Sequence, residues 1–256
     1  MPHGSHWQLN EALFRDVNRF NNQIISLKTE ISRSNETFIE HYKNTYTEPV
    51  DPPSWMSLEV SSFGLLSQMF RNLKKSPEKI AVVKHFGLNN IELLENWMLC
   101  FSHIRNTCAH HGRLWNRRLT AHITLPKKPS NPFIQNRNIW PYKPYAALCC
   151  MQYILQTISP DTSFKAGLKA LMKSCPLKQE KEMGFSEDWR SDPFWKWHPP
   201  NLYPDIVYLP INAEPQGREA SLGAPIKQPS HPGKGIAATL HRPLRTKRLA
   251  QAWLSY

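Results

Sequence analysis

From Trp7 to about Thr37 the apolar positions Leu9, Leu13, Val17, Phe20, Ile24, Ile25, Leu27 and Ile31 have helical spacing, which predicts an amphipathic helix. A second helix is predicted over Glu36 to Tyr46. The prolines of EPVDPPS then break the pattern, because Pro49, Pro52 and Pro53 cannot sit in a helix interior. Ser54 or Ser57 can cap the next helix, which runs through Val60, Leu65, Leu66 and Phe70 to the basic turn at Lys74 and Lys75. Ser76-Pro77 is a cap followed by a first-turn proline, opening a short helix with Ile80, Val83 and Phe86 inward and Gly87 as its stop. A long helix is predicted from about Asn90 into the region of Arg113. After Leu125 the text PKKPSNPFIQNRNIWPYKP reads as a surface loop, followed by an apolar helix over Tyr145 to Ile158. Asp161 or Thr162 caps a further one, with Phe164, Leu168, Leu171 and Met172 on one side. Alternating β-branched runs are nearly absent. The fold class is all-α.

Beyond His198 the pattern fails. Residues 199–256 hold nine of the 22 prolines and few large apolar side chains, too little burial to offset the entropy of ordering them. The expected organisation is a helical domain over residues 7–198 and a disordered, basic, proline-rich tail over 199–256. Across the 256 residues the net charge is +12 and apolar content is 40%. With a pI near 9.6, the balance favours polyanionic partners such as nucleic acid. No apolar run approaches the ~18–20 residues of a membrane span, and the start, MPHGSHWQLN, has no apolar signal core, so a cytoplasmic protein without a membrane partner is expected. Cys100, Cys108, Cys149, Cys150 and Cys175 form no CxxC pair, and all but the last sit in apolar, helix-like segments; reduced core thiols are the expectation.

The long helix carries HIRNTCAHHGRLWNRR, His103 to Arg118: four arginines, three histidines and two asparagines in sixteen residues. At ~100° per residue, with Arg105 at zero, Asn106 falls near ~100°, His110 near ~140° and His103 near ~160°. If the helix continues, Arg113 falls near ~80°, Asn116 near ~20° and Arg117 near ~120°. These groups share less than half of the circumference, opposite a core-facing stripe of Leu94, Trp97, Phe101, Ile104, Cys108 and Trp115. A merely solvated face would interleave Lys and Glu four apart, yet Asp and Glu are missing from Asn96 to Arg118. Arg113, Asn116 and Arg117 are also suited to crosslinking neighbouring helices.

Phosphodiester cleavage fits this set. A histidine can take the proton of a ribose 2′-hydroxyl or give one to the leaving 5′-oxygen. A guanidinium can hold the phosphate bidentately as charge grows on its oxygens. Arg105 and His110 supply those roles, and Asn106 can orient a hydroxyl or the imidazole. One helix supplies one histidine of the RNxxxH set, so acid and base would both be present where two chains meet through it. A homodimer with a composite cleft is therefore expected, with no metal and no cofactor. Cys108, near ~300°, points away from His110, which argues against both a zinc site and a Cys–His nucleophile pair.

RNxxxH at Arg105 to His110 matches the Rx4–6H motif of HEPN-domain ribonucleases, and RNTCAHHGRLWNR resembles the Abi-like abortive-infection proteins of that superfamily. ETFIEHYKNTY, PPSWMSLEVSSFGLLS and GFSEDWRSDPFW extend the resemblance over roughly residues 7–198. The resemblance implies a HEPN-like helical bundle that dimerises through the motif helices and cleaves RNA without metal, leaving a 2′,3′-cyclic phosphate. Arg105 and His110 would be the catalytic pair and Asn106 their polar accessory. His111, Arg113, Asn116 and Arg117 would support the site or contact RNA. It further implies a toxin that halts growth during phage infection, restrained by an RNA or protein antitoxin. Similar proteins usually begin with a further helical segment, which this chain is expected to lack. A non-catalytic RNA-binding or phage-sensing protein is the other reading of the same face.

Overall fold

The computed structural model describes residues 3–174 and 180–196; the expected tail, Cys175 and Trp197 lie outside the described residues. Among the described residues the architecture is all-α and contains no strand, only an isolated bridge between Phe14 and Leu73. The helices are α1 (Val17–Arg33), α2 (Thr37–Thr45), α3 (Ser54–Val60), α4 (Phe63–Asn72), α5 (Pro77–His85), α6 (Ile91–Ala109), α7 (Pro144–Ile158) and α8 (Phe164–Ser174). α4 lies between α1 and α6, and α5 and α7 also pack on α6. α6 is thus the central element, and Trp97 on its inner face is fully buried.

Three helix boundaries differ from the sequence expectation, each for a local reason. The first helix begins at Val17, not Trp7: residues 7–9 and 11–13 form 3₁₀ turns, and the Asp16 side chain caps α1 by accepting from the Arg19 amide at 3.0 Å. Phe14 is held extended because the Arg15 amide donates to Asn72 O (2.8 Å) and the Lys74 amide to Leu13 O (2.8 Å). The helix expected from Ser54 to Lys74 is two helices. Ser62 opens α4 by accepting from the Leu65 amide, while both its own amide and its hydroxyl donate to the Glu30 carboxylate of α1. The third difference, the end of α6, shapes the candidate site. Ser76 caps α5 as expected, accepting from the Lys79 amide at 3.2 Å, and α7 covers the expected range. On α8, Leu168 and Met172 are buried and Phe164 is partly buried, but Leu171 is 63% exposed, so one of the four residues of its expected face is outside the core.

Two features hold the chain around α6. Trp97 Nε1 donates to Thr124 O at 2.7 Å. The preceding residue, Asn96, makes a two-point clasp, donating to His122 O (3.0 Å) and accepting from the Thr124 amide (2.8 Å). Together they fasten residues 122–124 along the helix. An aromatic cluster packs at the start of α7, where Tyr145, Phe185, Trp189 and Trp195 lie ring against ring and Trp195 Nε1 donates to the Tyr145 hydroxyl at 3.0 Å.

Candidate active site

α6 begins at Asn90, whose side chain accepts from the Glu92 amide at 2.8 Å, and it ends at Ala109 rather than near Arg113. The stop is a Schellman motif. His110 caps the helix, His111 takes the left-handed conformation (φ 54°), and the Gly112 amide donates back to Thr107 O at 2.7 Å while the His111 amide donates to Cys108 O at 3.1 Å. A Cβ on Gly112 would come within 2.9 Å of Thr107 O, so this position has to be glycine for the chain to turn so tightly.

The stop corrects the projected polar face. Arg113, Asn116 and Arg117 are not on α6, and their helical angles do not apply. Arg117 is returned toward the helix by a turn in which its amide donates to Leu114 O at 3.1 Å. Asn116 adopts φ 52°, and its side-chain oxygen accepts from Lys143 Nζ at 2.8 Å. The result is an open recess of about 370 Å³ whose polar lining includes His103, Asn106, His110, Arg117 and Thr120. Arg105 stands beside it on the exposed surface, with Nη1 donating to Asn106 Oδ1 at 3.1 Å. His111 and Arg113 are exposed and do not line it; the Arg113 carbonyl accepts from Arg117 Nη1 at 3.5 Å.

His103 is the residue that the motif reading left out. It shares the recess with His110, and its Nδ1 lies 3.1 Å from Thr120 Oγ1. The spacing of His103, Asn106 and His110, three and then four residues apart, was a usable signal. Thr120 had none, because it arrives by way of the return segment clasped by Asn96.

Cys108 corrects a second expectation. It is exposed, since the core-facing stripe ends at Ile104 and the last turn of α6 overhangs the core. Cys100 is buried, and desolvation pushes its thiol up to about 11, which keeps it protonated and inert at neutral pH. Trp115 is half-buried rather than a core residue. No cluster of three or more His, Cys, Asp or Glu side chains placed to hold a metal ion occurs among the described residues.

An anion in the recess would meet Arg117, with Arg105 at the edge and the His103 and His110 imidazoles in the lining. The end of α6 does not help to bind phosphate, because a helix C-terminus presents carbonyls; the positive charge has to come from Arg117 and Arg105.

Residues 1–116 match the family model of the Abi-like proteins, which bears out the family reading over that part of the chain. The match takes in Arg105, Asn106, His110, His111, Arg113 and Asn116, stops one residue short of Arg117, and does not reach GFSEDWRSDPFW. No curated protein and no solved structure matches the chain. No described helix is long and apolar enough to cross a membrane.

Proposed function

We propose that this chain is a metal-independent endoribonuclease of the HEPN type that acts on RNA in the cytoplasm during abortive infection. The abortive-infection context is what the Abi-like family suggests. The observation that carries the chemical reading is the convergence of Asn106, His110 and Arg117 on one open recess, with Arg105 hydrogen-bonded to Asn106 at its edge.

In the reaction one imidazole takes the proton of a ribose 2′-hydroxyl, whose oxygen bonds to phosphorus. The bond from phosphorus to the 5′-oxygen breaks, and a second imidazole, protonated, gives that oxygen its proton. The products are a 2′,3′-cyclic phosphate and a 5′-hydroxyl. Arg105 and Arg117 balance the charge on the non-bridging oxygens. In a dimer docked through α6, the second imidazole is His110 of the partner chain. His103 favours a single-chain version, because it opens into the same recess. An RNA or protein antitoxin would restrain the activity by covering this face.

The test is cleavage of labelled RNA with excess EDTA present, for the wild type, Arg105→Ala and His110→Ala. Acid–base residues contribute ~10²–10⁴-fold, so cutting should persist in EDTA and drop by about that factor in His110→Ala. RNA bound but left intact by folded wild type would replace this reading with that of a non-catalytic RNA-binding protein. His103→Ala separates the two sources of the second imidazole: loss as deep as in His110→Ala assigns it to the same chain, and full activity assigns it to the partner.

A further inference from the structure

No Asp or Glu occurs between Glu95 and Asp161, while the same stretch carries eight Lys and Arg. The fold gathers part of this stretch into one surface. The Leu119 amide donates to Tyr142 O at 2.8 Å and the Ile123 amide to Pro141 O at 2.9 Å, so residues 117–123 and 140–143 lie side by side. The first segment sends Arg117 and Thr120 into the recess. It also sends Arg118 and His122 to the Tyr142 ring, the guanidinium 4.6 Å and the imidazole 5.7 Å from its centroid. From the second segment Trp140 stands 58% exposed. None of Arg105, Arg113, Arg117 and Arg118 is in an ion pair among the described residues.

An exposed indole two residues from the ring that Arg118 overlies, with that arginine outside any ion pair among the described residues, fits a polyanion with flat, unpaired bases. We propose that Trp140, Tyr142 and Arg118 form a binding strip for single-stranded RNA that leads into the recess. A base stacks on Trp140, and Arg118, held over the Tyr142 ring, turns its N–H groups to a neighbouring phosphate. Duplex RNA keeps its bases stacked inside and cannot use the indole. The proposal deepens the ribonuclease reading by naming the form of RNA that reaches the site, and it rests on that reading for RNA as the partner.

Binding of a labelled single-stranded oligoribonucleotide, and of its duplex, is measured on the full chain carrying His110→Ala, with Trp140→Ala, Trp140→Phe, Arg118→Gln or Trp55→Ala added. Trp55 is a half-exposed indole on α3, away from the strip in sequence, and serves as the control. Loss of one stacked base corresponds to roughly 5- to 100-fold weaker binding. That loss is expected for Trp140→Ala with the single strand alone, with most of the affinity kept by Trp140→Phe and all of it by Trp55→Ala. Arg118→Gln should lower the slope of log Kd against log salt by about 0.7, one phosphate contact on a single strand, and Trp140→Ala should leave the slope unchanged. Unaltered single-strand binding by folded Trp140→Ala overturns the strip, as does equal weakening of duplex and single strand. A change in oligomeric state with unaltered RNA binding would also overturn it, assigning Trp140 to a contact between chains. The cleavage assay is separate: strip-dependent binding without cleavage in the wild type sinks the ribonuclease reading and leaves the strip standing.

Discussion

His111 stands in the left-handed region at φ 54°, where an L-residue is disfavoured by roughly 1–2 kcal/mol and glycine is not. Histidine tolerates the region better than most residues, which is compatible with its place in a Schellman turn. His111→Gly should therefore raise stability by about 0.5–1 kcal/mol. If His111 only supports the site, RNA cleavage should survive the change. Gly112→Ala works in the other direction. Its Cβ would meet a backbone oxygen, Thr107 O at 2.9 Å, and relief requires the last turn of α6 to shift where His110 stands. A loss of roughly 1–2 kcal/mol is expected, in line with other overpacking changes, together with a larger loss of cleavage than stability alone explains. Urea unfolding of both variants beside RNA cleavage checks the pair, and a fully active Gly112→Ala would mean that the turn does not position His110.

Among the elements, α6 was legible in its core stripe and illegible in its length. Leu94, Trp97 and Ile104 are buried as their spacing indicates. Arg113, Asn116 and Arg117 suit a continued polar face, and this masks the stop that Gly112 signals. Long-range partners set the other two boundaries. The Phe14–Leu73 bridge fixes where α1 can start, and Glu30 reaches Ser62 across 32 residues, contacts that no periodicity encodes. The candidate site follows the same division. Arg105, Asn106 and His110 were readable as a local motif, whereas the recess needs the return segment that Asn96 clasps. Asn96→Ala removes two hydrogen bonds to main chain at His122 and Thr124, each worth about 0.5–1.5 kcal/mol. A modest destabilisation is expected, with a disproportionate fall in RNA cleavage because Thr120 and Arg117 follow that segment. Asn96→Asp keeps the acceptor for the Thr124 amide and loses the donor, so it should fall between wild type and Asn96→Ala in both measurements.

For the whole molecule, the core contains several acids that folding forbids to ionise, and this sets how stability responds to alkali. Cys100, Cys149, Cys150 and Tyr145 are all at most 2% exposed. Burial pushes Cys100 up to about 11 and raises the other three further above their ordinary values. Between pH 9 and 11 the unfolded chain releases thiol protons that the folded chain retains. The unfolded state then binds fewer protons, and stability falls as pH rises. Each such group contributes about 1.4 kcal/mol per pH unit, so three thiols together contribute about 4 kcal/mol per unit above pH 9. Lys79 and Lys165 work against this trend: desolvation lowers both ammonium groups, with Glu95 opposing at Lys79, so their contribution to stability rises with pH toward the ordinary lysine value. Two lysines do not offset three thiols and a phenol. Against a total of roughly 5–15 kcal/mol for a typical domain, cooperative unfolding should set in between about pH 10 and 12. A series of Tm values from pH 7.5 upward should be level at first and then drop with increasing slope. Cys100→Ala, whatever it does to the neutral-pH Tm, should make that slope shallower; an identical slope would assign the alkaline loss to groups other than the core thiols.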